Sequence, residues 1–87
     1  MIRVIHTFQN PDQASVLPQI QKTLENIEAT SGFKYASLDQ KENSQEYMLE
    51  SKWDDRNAYD TWARNIGQNN PISQAAPQFL NVIQEKY

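Results

Sequence analysis

The chain has 87 residues, 38% of them hydrophobic and 22% charged, with eleven acidic against eight basic side chains and a net charge of −3. This length supports one domain, 1–87, with a small core. The absence of cysteine excludes disulfides and thiolate chemistry. Lys and Arg do not form a basic cluster in the sequence, so nucleic-acid binding is not expected. Since no apolar run is long enough to cross a bilayer and no signal-peptide pattern is present, we expect a soluble cytoplasmic protein with no membrane contact.

The first predicted strand covers residues 1–9, whose side chains alternate between two faces. One face carries Ile2, Val4, His6 and Phe8, and the other carries Arg3, Ile5 and Thr7. The sequence Asn10-Pro11-Asp12 then predicts a turn.

A helix is predicted next, because apolar residues recur at helical spacing along one stripe: Val16, Leu17, Ile20, Leu24 and Ile27. Ser15 is the candidate cap. Pro18 predicts a late start, since proline is tolerated in the first turn of a helix and not deeper inside it. Gly32 is predicted to stop the helix.

Two further strands are predicted at 33–38 and 47–53, joined as a hairpin by the polar residues 40–45. Asp54 or Asp55 is placed to cap a second helix over 56–66. Its inward stripe is Tyr59, Trp62, Ala63 and Ile66, and Gly67 is predicted to end it.

The C-terminal part contains a loop at 68–71, a turn of helix at 72–76 and the segment 79–87, which fits a helix about as well as a strand. We predict a strand, because β-α-β-β-α-β then completes the ferredoxin-like α+β pattern with a four-stranded antiparallel sheet.

Three local segments, in order and correctly spaced, resemble the antibiotic biosynthesis monooxygenase superfamily. Met1-Ile2-Arg3-Val4-Ile5 resembles its apolar first strand, and Ser31-Gly32-Phe33 resembles its Pro-Gly-Phe helix exit. Trp53-Asp54-Asp55-Arg56-Asn57-Ala58-Tyr59 resembles its Trp-x-Ser-x-Glu-Ala-Tyr segment. The resemblance covers most of the chain. It implies a homodimeric α/β barrel, in which two sheets pack face to face and each subunit has a pocket between its sheet and its helices.

The superfamily includes cofactor-independent oxygenases of phenols, quinol monooxygenases and haem-degrading enzymes, so the fold does not choose the reaction. Trp62 matches a tryptophan of the haem-degrading branch. That branch has an iron-ligating histidine about ten residues later, where this chain has residues 72–76 without one. Residues 68–70 likewise replace a histidine that is common in the superfamily, and the haem-degrading asparagine of the first strand corresponds to Ile5, His6 or Thr7.

His6 is the single histidine, and hence the one side chain whose ordinary pKa suits proton transfer near neutral pH. We name it a candidate catalytic residue, with a hydrogen-bonded core histidine as the alternative. A lone histidine without nearby carboxylates at ligand spacing cannot complete a coordination sphere, so no metal is predicted.

Aromatic side chains provide the candidate binding surface. Trp62 and Tyr59, one helical turn apart, could line a flat pocket, and Trp62 is also the second candidate catalytic residue. Tyr47 is a third binding candidate, and Tyr35 could also donate a phenolic proton, although each of these side chains could equally belong to the core. Trp53 is predicted to be structural, and Arg3 and Glu50 are predicted to meet.

Three functions follow. The first is a cofactor-independent monooxygenase, an oxidoreductase that stacks a phenol or quinol beside Trp62 and uses His6 or a tyrosine as the base. The second is a non-catalytic dimeric binder of a small hydrophobic molecule, indicated by the missing histidine. The third, haem binding or degradation, has only Trp62 in its favour.

Overall fold

A computed structural model describes residues 1–9 and 16–87. It contains a four-stranded antiparallel sheet with the order β2-β3-β1-β4, and its helices lie in a ferredoxin-like α+β arrangement. The strands are β1 (Ile2–Phe8), β2 (Phe33–Gln40), β3 (Tyr47–Trp53) and β4 (Gln78–Asn81). The helices are α1 (Val16–Leu24), a 3₁₀ turn (Ile27–Ala29), α2 (Arg56–Ile66) and α3 (Pro71–Gln74). The predicted fold class is therefore confirmed.

Strand alternation separates the two faces of the sheet. Val4, His6 and Phe8 of β1 point into the core with Leu49 and Trp53 of β3. The core is completed by buried residues of the helices: Ile20, Ile27, Tyr59, Trp62 and Ile72. The opposite face carries Arg3, Glu50 and Lys52 and has no helix against it in the described chain.

Helix α2 has the predicted bounds, and the structure selects its cap. The Asp55 carboxylate accepts a hydrogen bond from the Ala58 backbone N–H at 3.0 Å, whereas Asp54 forms an exposed ion pair with Lys34 at 3.2 Å. Gly67 ends the helix with φ 84°, a backbone angle that favours glycine.

The prediction that the first helix runs to Gly32 is wrong. Helix α1 ends at Leu24, where the Glu25 N–H turns back to the Lys22 carbonyl, and a separate 3₁₀ turn then brings Ile27 into the core. Asn26, a poor residue for helix interiors, leaves the helical region with φ −114°. Pro18 lies in the first turn as predicted, and the predicted turn at 10–12 and the Ser15 cap lie outside the described residues.

The predicted strand over 79–87 is only partly correct. Strand β4 covers Gln78–Asn81, and Asn81 pairs with Ile2, the first residue of β1. The Val82 N–H makes one more bond to the Met1 carbonyl, and the β1–β4 ladder itself ends at the Ile2–Asn81 pair. The remaining residues, 83–87, therefore leave the sheet ladder. Two smaller differences are that β2 extends to Gln40 and that the short helix α3 begins at Pro71.

Candidate active site

His6 and Tyr59 meet in the core between the sheet and α2. The inward face of β1 presents His6, and the first turns of α2 present Tyr59, so that His6 Nε2 lies 3.1 Å from the Tyr59 hydroxyl. His6 has no exposed surface, and its Nδ1 has no hydrogen-bond partner among the described residues. The catalytic candidate His6 and the binding candidate Tyr59 are thus one hydrogen-bonded pair.

Burial shifts the pKa values of both side chains of this pair. It lowers the pKa of His6 to about 4, because a charged imidazolium would lose its hydration in the core. Burial also raises the pKa of Tyr59, with a smaller contribution from the Asp60 carboxylate. Near neutral pH both side chains are therefore neutral, and His6 is present as the free base.

Tyr59 and Trp62 belong to an aromatic cluster that fills the space between α2 and the sheet. The Trp62 ring centroid lies 5.5 Å from that of Trp53 and 6.1 Å from that of Tyr59. Tyr59 also makes an edge contact with Phe79 of β4 at 5.4 Å. The two Trp62 contacts are tilted and the Tyr59–Phe79 contact is edge-to-face, all at centroid distances typical of packed aromatic pairs, so both candidates contribute to the core.

A groove of about 740 Å³ opens between α1, the 3₁₀ turn and α2, and Trp62 is one of its lining residues. Only 3% of the Trp62 side chain is exposed, so a small part of the indole can touch a ligand and its flat face is covered. The volume falls in the range of small-molecule sites. The resemblance implied a pocket between the sheet and the helices, whereas this groove lies between helices.

The rim of the groove is rich in amides and hydroxyls. Asn70 bridges its walls: its amide Nδ2 donates to the Thr23 hydroxyl at 2.8 Å, and its Oδ1 accepts from the Ile72 N–H at 3.0 Å as the cap of α3. Two charged residues of opposite sign also line it, Lys22 and Glu25. The other polar lining residues are Gln19, Asn26, Thr30, Ser31, Thr61 and Asn65.

The remaining candidates lie apart from this groove. Tyr59 borders a second groove of about 460 Å³ between α2 and the segment 67–77. Tyr47 is buried opposite Phe8 and is absent from the walls of both grooves, and Tyr35 is half-exposed on the other face of the sheet. His6 thus contacts Tyr59, and Tyr59 contacts Trp62. Tyr35 and Tyr47 lie apart from these three residues.

The sequence did not identify the groove residues of α1 as functional. Gln19 and Thr23 flank the apolar stripe of α1, and Asn26 follows the helix, positions where polar residues usually mark a solvent-facing surface. Across the described ranges, 1–9 and 16–87, no three His, Asp or Glu side chains are close enough to hold a metal ion, and every helix is too short to span a membrane.

Comparison with known proteins supports the fold. No family model matches the sequence, and no curated protein matches it significantly. A crystal structure of an antibiotic biosynthesis monooxygenase is similar with a TM-score of 0.77 and 16% identity, over 97% of this chain and all of that one. The cofactor-independent oxygenase SnoaB from Streptomyces nogalater, as its N63A mutant, gives 0.72 and 14% over 97% and 94%. The heme-degrading protein Rv3592 from Mycobacterium tuberculosis gives 0.65 and 20% over 99% and 98%.

Proposed function

From a fold shared with antibiotic biosynthesis monooxygenases, we propose that this protein is a cofactor-independent monooxygenase of a small aromatic substrate of the phenol or quinol type. The observation that carries the proposal is the fold match to oxygenases over nearly the whole of both chains, together with the groove beside Trp62. At these low identities the comparisons establish the fold, and the activity is our inference.

The lining of the groove supports a largely uncharged ligand that carries hydrogen-bonding oxygens. Its rim offers many hydroxyl and amide groups that can bond to phenol or carbonyl oxygens, and the lining also includes apolar atoms of Ala29, Trp62 and Ile66. A porphyrin carries two carboxylates, and Lys22 is the one cationic side chain in this lining. Haem binding is therefore the least supported of the three functions.

The chemistry assigned to the site begins with proton removal from the substrate. An electron-rich anion then reduces O₂ directly. For a quinol the balance is quinol + O₂ → hydroxyquinone + H₂O, and for the activated CH₂ group of an anthrone it is CH₂ + O₂ → C=O + H₂O. In both reactions the O–O bond breaks, one oxygen atom enters the substrate and the other leaves as water, and the substrate provides the electrons.

We assign the proton acceptor to the neutral His6, acting through Tyr59, because His6 itself has no exposed surface. Tyr59 borders the second groove and not the groove beside Trp62, so this assignment requires the reacting end of the substrate to lie in the second groove.

The working unit that we propose is a homodimer. The sheet face opposite the helices carries exposed apolar side chains that include Tyr35, Met48 and Leu80. A small domain gains stability when such a face is buried against a partner.

The test is oxygen consumption by the purified protein with 1,4-naphthoquinol and with anthrone, in the presence of a metal chelator. We expect O₂ uptake above the uncatalysed rate, and loss of most of it in His6→Gln and Tyr59→Phe variants that remain folded. Trp62→Phe should mainly weaken substrate binding, since its role is to border the groove. Uptake that is unchanged in all three variants would contradict the assignment of the site.

A non-catalytic binder is the second candidate, favoured by the burial of His6, Tyr47 and Tyr59. It predicts that the same aromatic compounds change the tryptophan fluorescence in a saturable way without any O₂ uptake. Matched variants separate the two grooves: Asn65→Ala alters the α1–α2 groove, and Arg64→Ala alters the second groove.

A further inference from the structure

The hydrogen-bonded pair of Tyr59 and His6 is joined to the α1–α2 groove by a series of aromatic rings. The ring centre of Tyr59 lies 6.0 Å from that of Trp53 and 6.1 Å from that of Trp62. The two indoles lie 5.5 Å apart, and Trp62 is a lining residue of the groove. Contacts between rings therefore lead from the groove to a phenol that is hydrogen-bonded to an imidazole.

Electrons and protons have different access to this region. An electron tunnels readily between aromatic rings in contact, whereas a proton moves only between atoms within hydrogen-bond reach. His6 has no exposed surface and lines neither groove, so it cannot take a proton from a ligand in the α1–α2 groove. Only 3% of Trp62 is exposed, which limits stacking but not electron tunnelling, since tunnelling needs proximity and not buried area. The groove is thus connected to the pair for electrons.

The geometry of the pair favours oxidation of Tyr59 by one electron. A phenol that loses an electron becomes a far stronger acid than imidazolium, so its proton passes to a base within reach. Nε2 of His6 lies 3.1 Å from the phenol oxygen, and burial lowers the pKa of His6 to about 4, which keeps it neutral near pH 7. Burial also raises the pKa of Tyr59, so the phenol keeps its proton until it is oxidised.

The other tyrosines differ from Tyr59 in this respect. The Tyr87 hydroxyl accepts a hydrogen bond from the Lys52 ammonium at 2.9 Å, and an ammonium cannot take up a further proton. Tyr35 is half-exposed on the open sheet face, the face opposite the helices. Tyr47 is buried, but the single imidazole of the chain is bonded to Tyr59. Within the described residues, Tyr59 is thus the phenol that has an imidazole as its proton acceptor.

We propose that Tyr59 is a redox-active tyrosine, which donates an electron through Trp62 to a strongly oxidising organic radical in the α1–α2 groove while its phenolic proton moves to Nε2 of His6. For a peroxyl radical the balance is ROO• + Tyr59–OH + His6 → ROO⁻ + Tyr59–O• + His6–H⁺. The phenol O–H bond breaks and an N–H bond forms, and the peroxyl radical is reduced as Tyr59 is oxidised.

A quinol in the same groove completes the cycle. It returns one electron to Tyr59 through Trp62 and becomes a semiquinone, with its own proton released to solvent. The proton on His6 then goes back to the phenol oxygen, and the pair is restored. This activity goes beyond the proposed oxygenase and does not require it, because the radical and the quinol are the two reactants.

Photochemical oxidation of the full chain tests the proposal, with ruthenium tris-bipyridyl and an electron-accepting quencher under argon. Tyr35→Phe and Tyr87→Phe are introduced first to remove the exposed phenols. In this background we expect the optical and EPR signals of a neutral phenoxyl radical. The signals should disappear in Tyr59→Phe and persist in the matched variant Tyr47→Phe, with circular dichroism to show that each variant is folded. A background protein without the signals, or signals that survive Tyr59→Phe, would overturn the assignment.

Two further variants test the route of the proton and that of the electron. His6→Gln removes the base and keeps a polar side chain, and it should slow phenoxyl formation by about tenfold or more, as loss of a proton acceptor does. Trp62→Phe should also slow it, because phenylalanine is much harder to oxidise than tryptophan. An unchanged rate in His6→Gln would overturn the proton transfer, and an unchanged rate in Trp62→Phe would overturn the electron route.

The tautomer of His6 is a test that needs no variant. For the phenol to donate to Nε2, the imidazole proton must be on Nδ1, and ¹⁵N NMR of the wild type distinguishes the two nitrogens. A proton on Nε2 would overturn the proposal, because the phenol proton would then point away from His6. These measurements use neither O₂ nor an oxygenase substrate, so a failed oxygenase assay leaves their outcome unaffected.

Discussion

The Nε2 atom of His6 lies 3.1 Å from the hydroxyl of Tyr59, and this contact joins an inner strand of the sheet to α2. His6 is opposite Leu49 of β3, and Tyr59 packs on Trp53, Trp62 and Phe79. A polar pair in so apolar a setting is stabilising only while both groups stay neutral and paired. The free energy of unfolding should therefore depend on whether His6 is neutral and whether it is paired with Tyr59.

Acid should destabilise the protein through His6. Its pKa is about 4 in the folded chain and ordinarily 6.5, so between these values the unfolded chain binds the extra proton. The stabilisation is fully present above pH 6.5 and is lost as pH falls towards 4, a loss of about 3 kcal/mol from a shift of this size. Urea unfolding at a series of pH values measures it.

The matched variant is His6→Gln, which does not titrate in this range. We expect the variant to be less stable than the wild type at neutral pH and to lose less stability on going from pH 6.5 to 4. Acidic groups such as Glu85 contribute in both proteins, so the difference between the two curves isolates His6. Parallel curves would show that His6 is not buried as a neutral base.

Removing the Tyr59 hydroxyl should be costly. Tyr59→Phe leaves the buried His6 Nε2 without its partner, and an unsatisfied buried polar group costs about 1 to 3 kcal/mol. Tyr35→Phe is the matched control, because Tyr35 is half-exposed on the open face, and it should change stability by less than about 0.5 kcal/mol. Denaturant unfolding compares the two, and equal effects would contradict the His6–Tyr59 bond.

Neighbouring aspartates before α2 should differ in their contributions. Asp55→Ala removes the side chain that caps Ala58 and should cost about 1 kcal/mol. Asp54→Ala removes an exposed ion pair with Lys34 and should cost less, from 0 to about 1 kcal/mol. Thermal unfolding of the two variants measures the difference, and a larger loss for Asp54→Ala would show that the cap is assigned to the wrong residue.

Periodicity predicted the elements that have a strong, regular pattern. The alternation of Val4, His6 and Phe8 placed His6 on the inner face, and the stripe of Tyr59 and Trp62 placed both on the inner side of α2. The pattern could not predict how far a strand continues once its partner ends. The segment 83–87 was predicted to continue the strand, yet β4 ends at Asn81 and the segment lies outside the ladder with β1.

The groove was beyond prediction for a related reason. Its walls come from α1, α2 and the segment before α3, and a sequence pattern records one element at a time. The bond between Asn70 and Thr23, 47 positions apart, is a tertiary contact of polar residues that look like surface positions. The position of Trp62 beside the groove was equally hidden, since helical spacing does not show whether a buried indole borders an opening.

Two glycines should respond differently to alanine. Gly32 and Gly67 both have positive φ, 90° and 84°, where alanine is strained by about 1 kcal/mol or more. At Gly67 a Cβ atom would have no neighbour within 4 Å, so strain is the whole expected cost. At Gly32 the Cβ atom would lie 2.6 Å from the Cβ of Ala58, which would push the 31–33 turn away from α2.

We therefore expect Gly32→Ala to destabilise the fold by about 1 to 3 kcal/mol more than Gly67→Ala, the range for overpacking a tight contact. Urea unfolding of both variants gives the comparison. The double variant with Ala58→Gly provides the decisive control, because it removes the atom that the new methyl group would meet. In the Ala58→Gly background, Gly32→Ala should lower the free energy of unfolding by less than it does in the wild-type background. If the two effects are equal, the close approach of the 31–33 turn to α2 does not limit this position, and backbone strain alone explains the glycine.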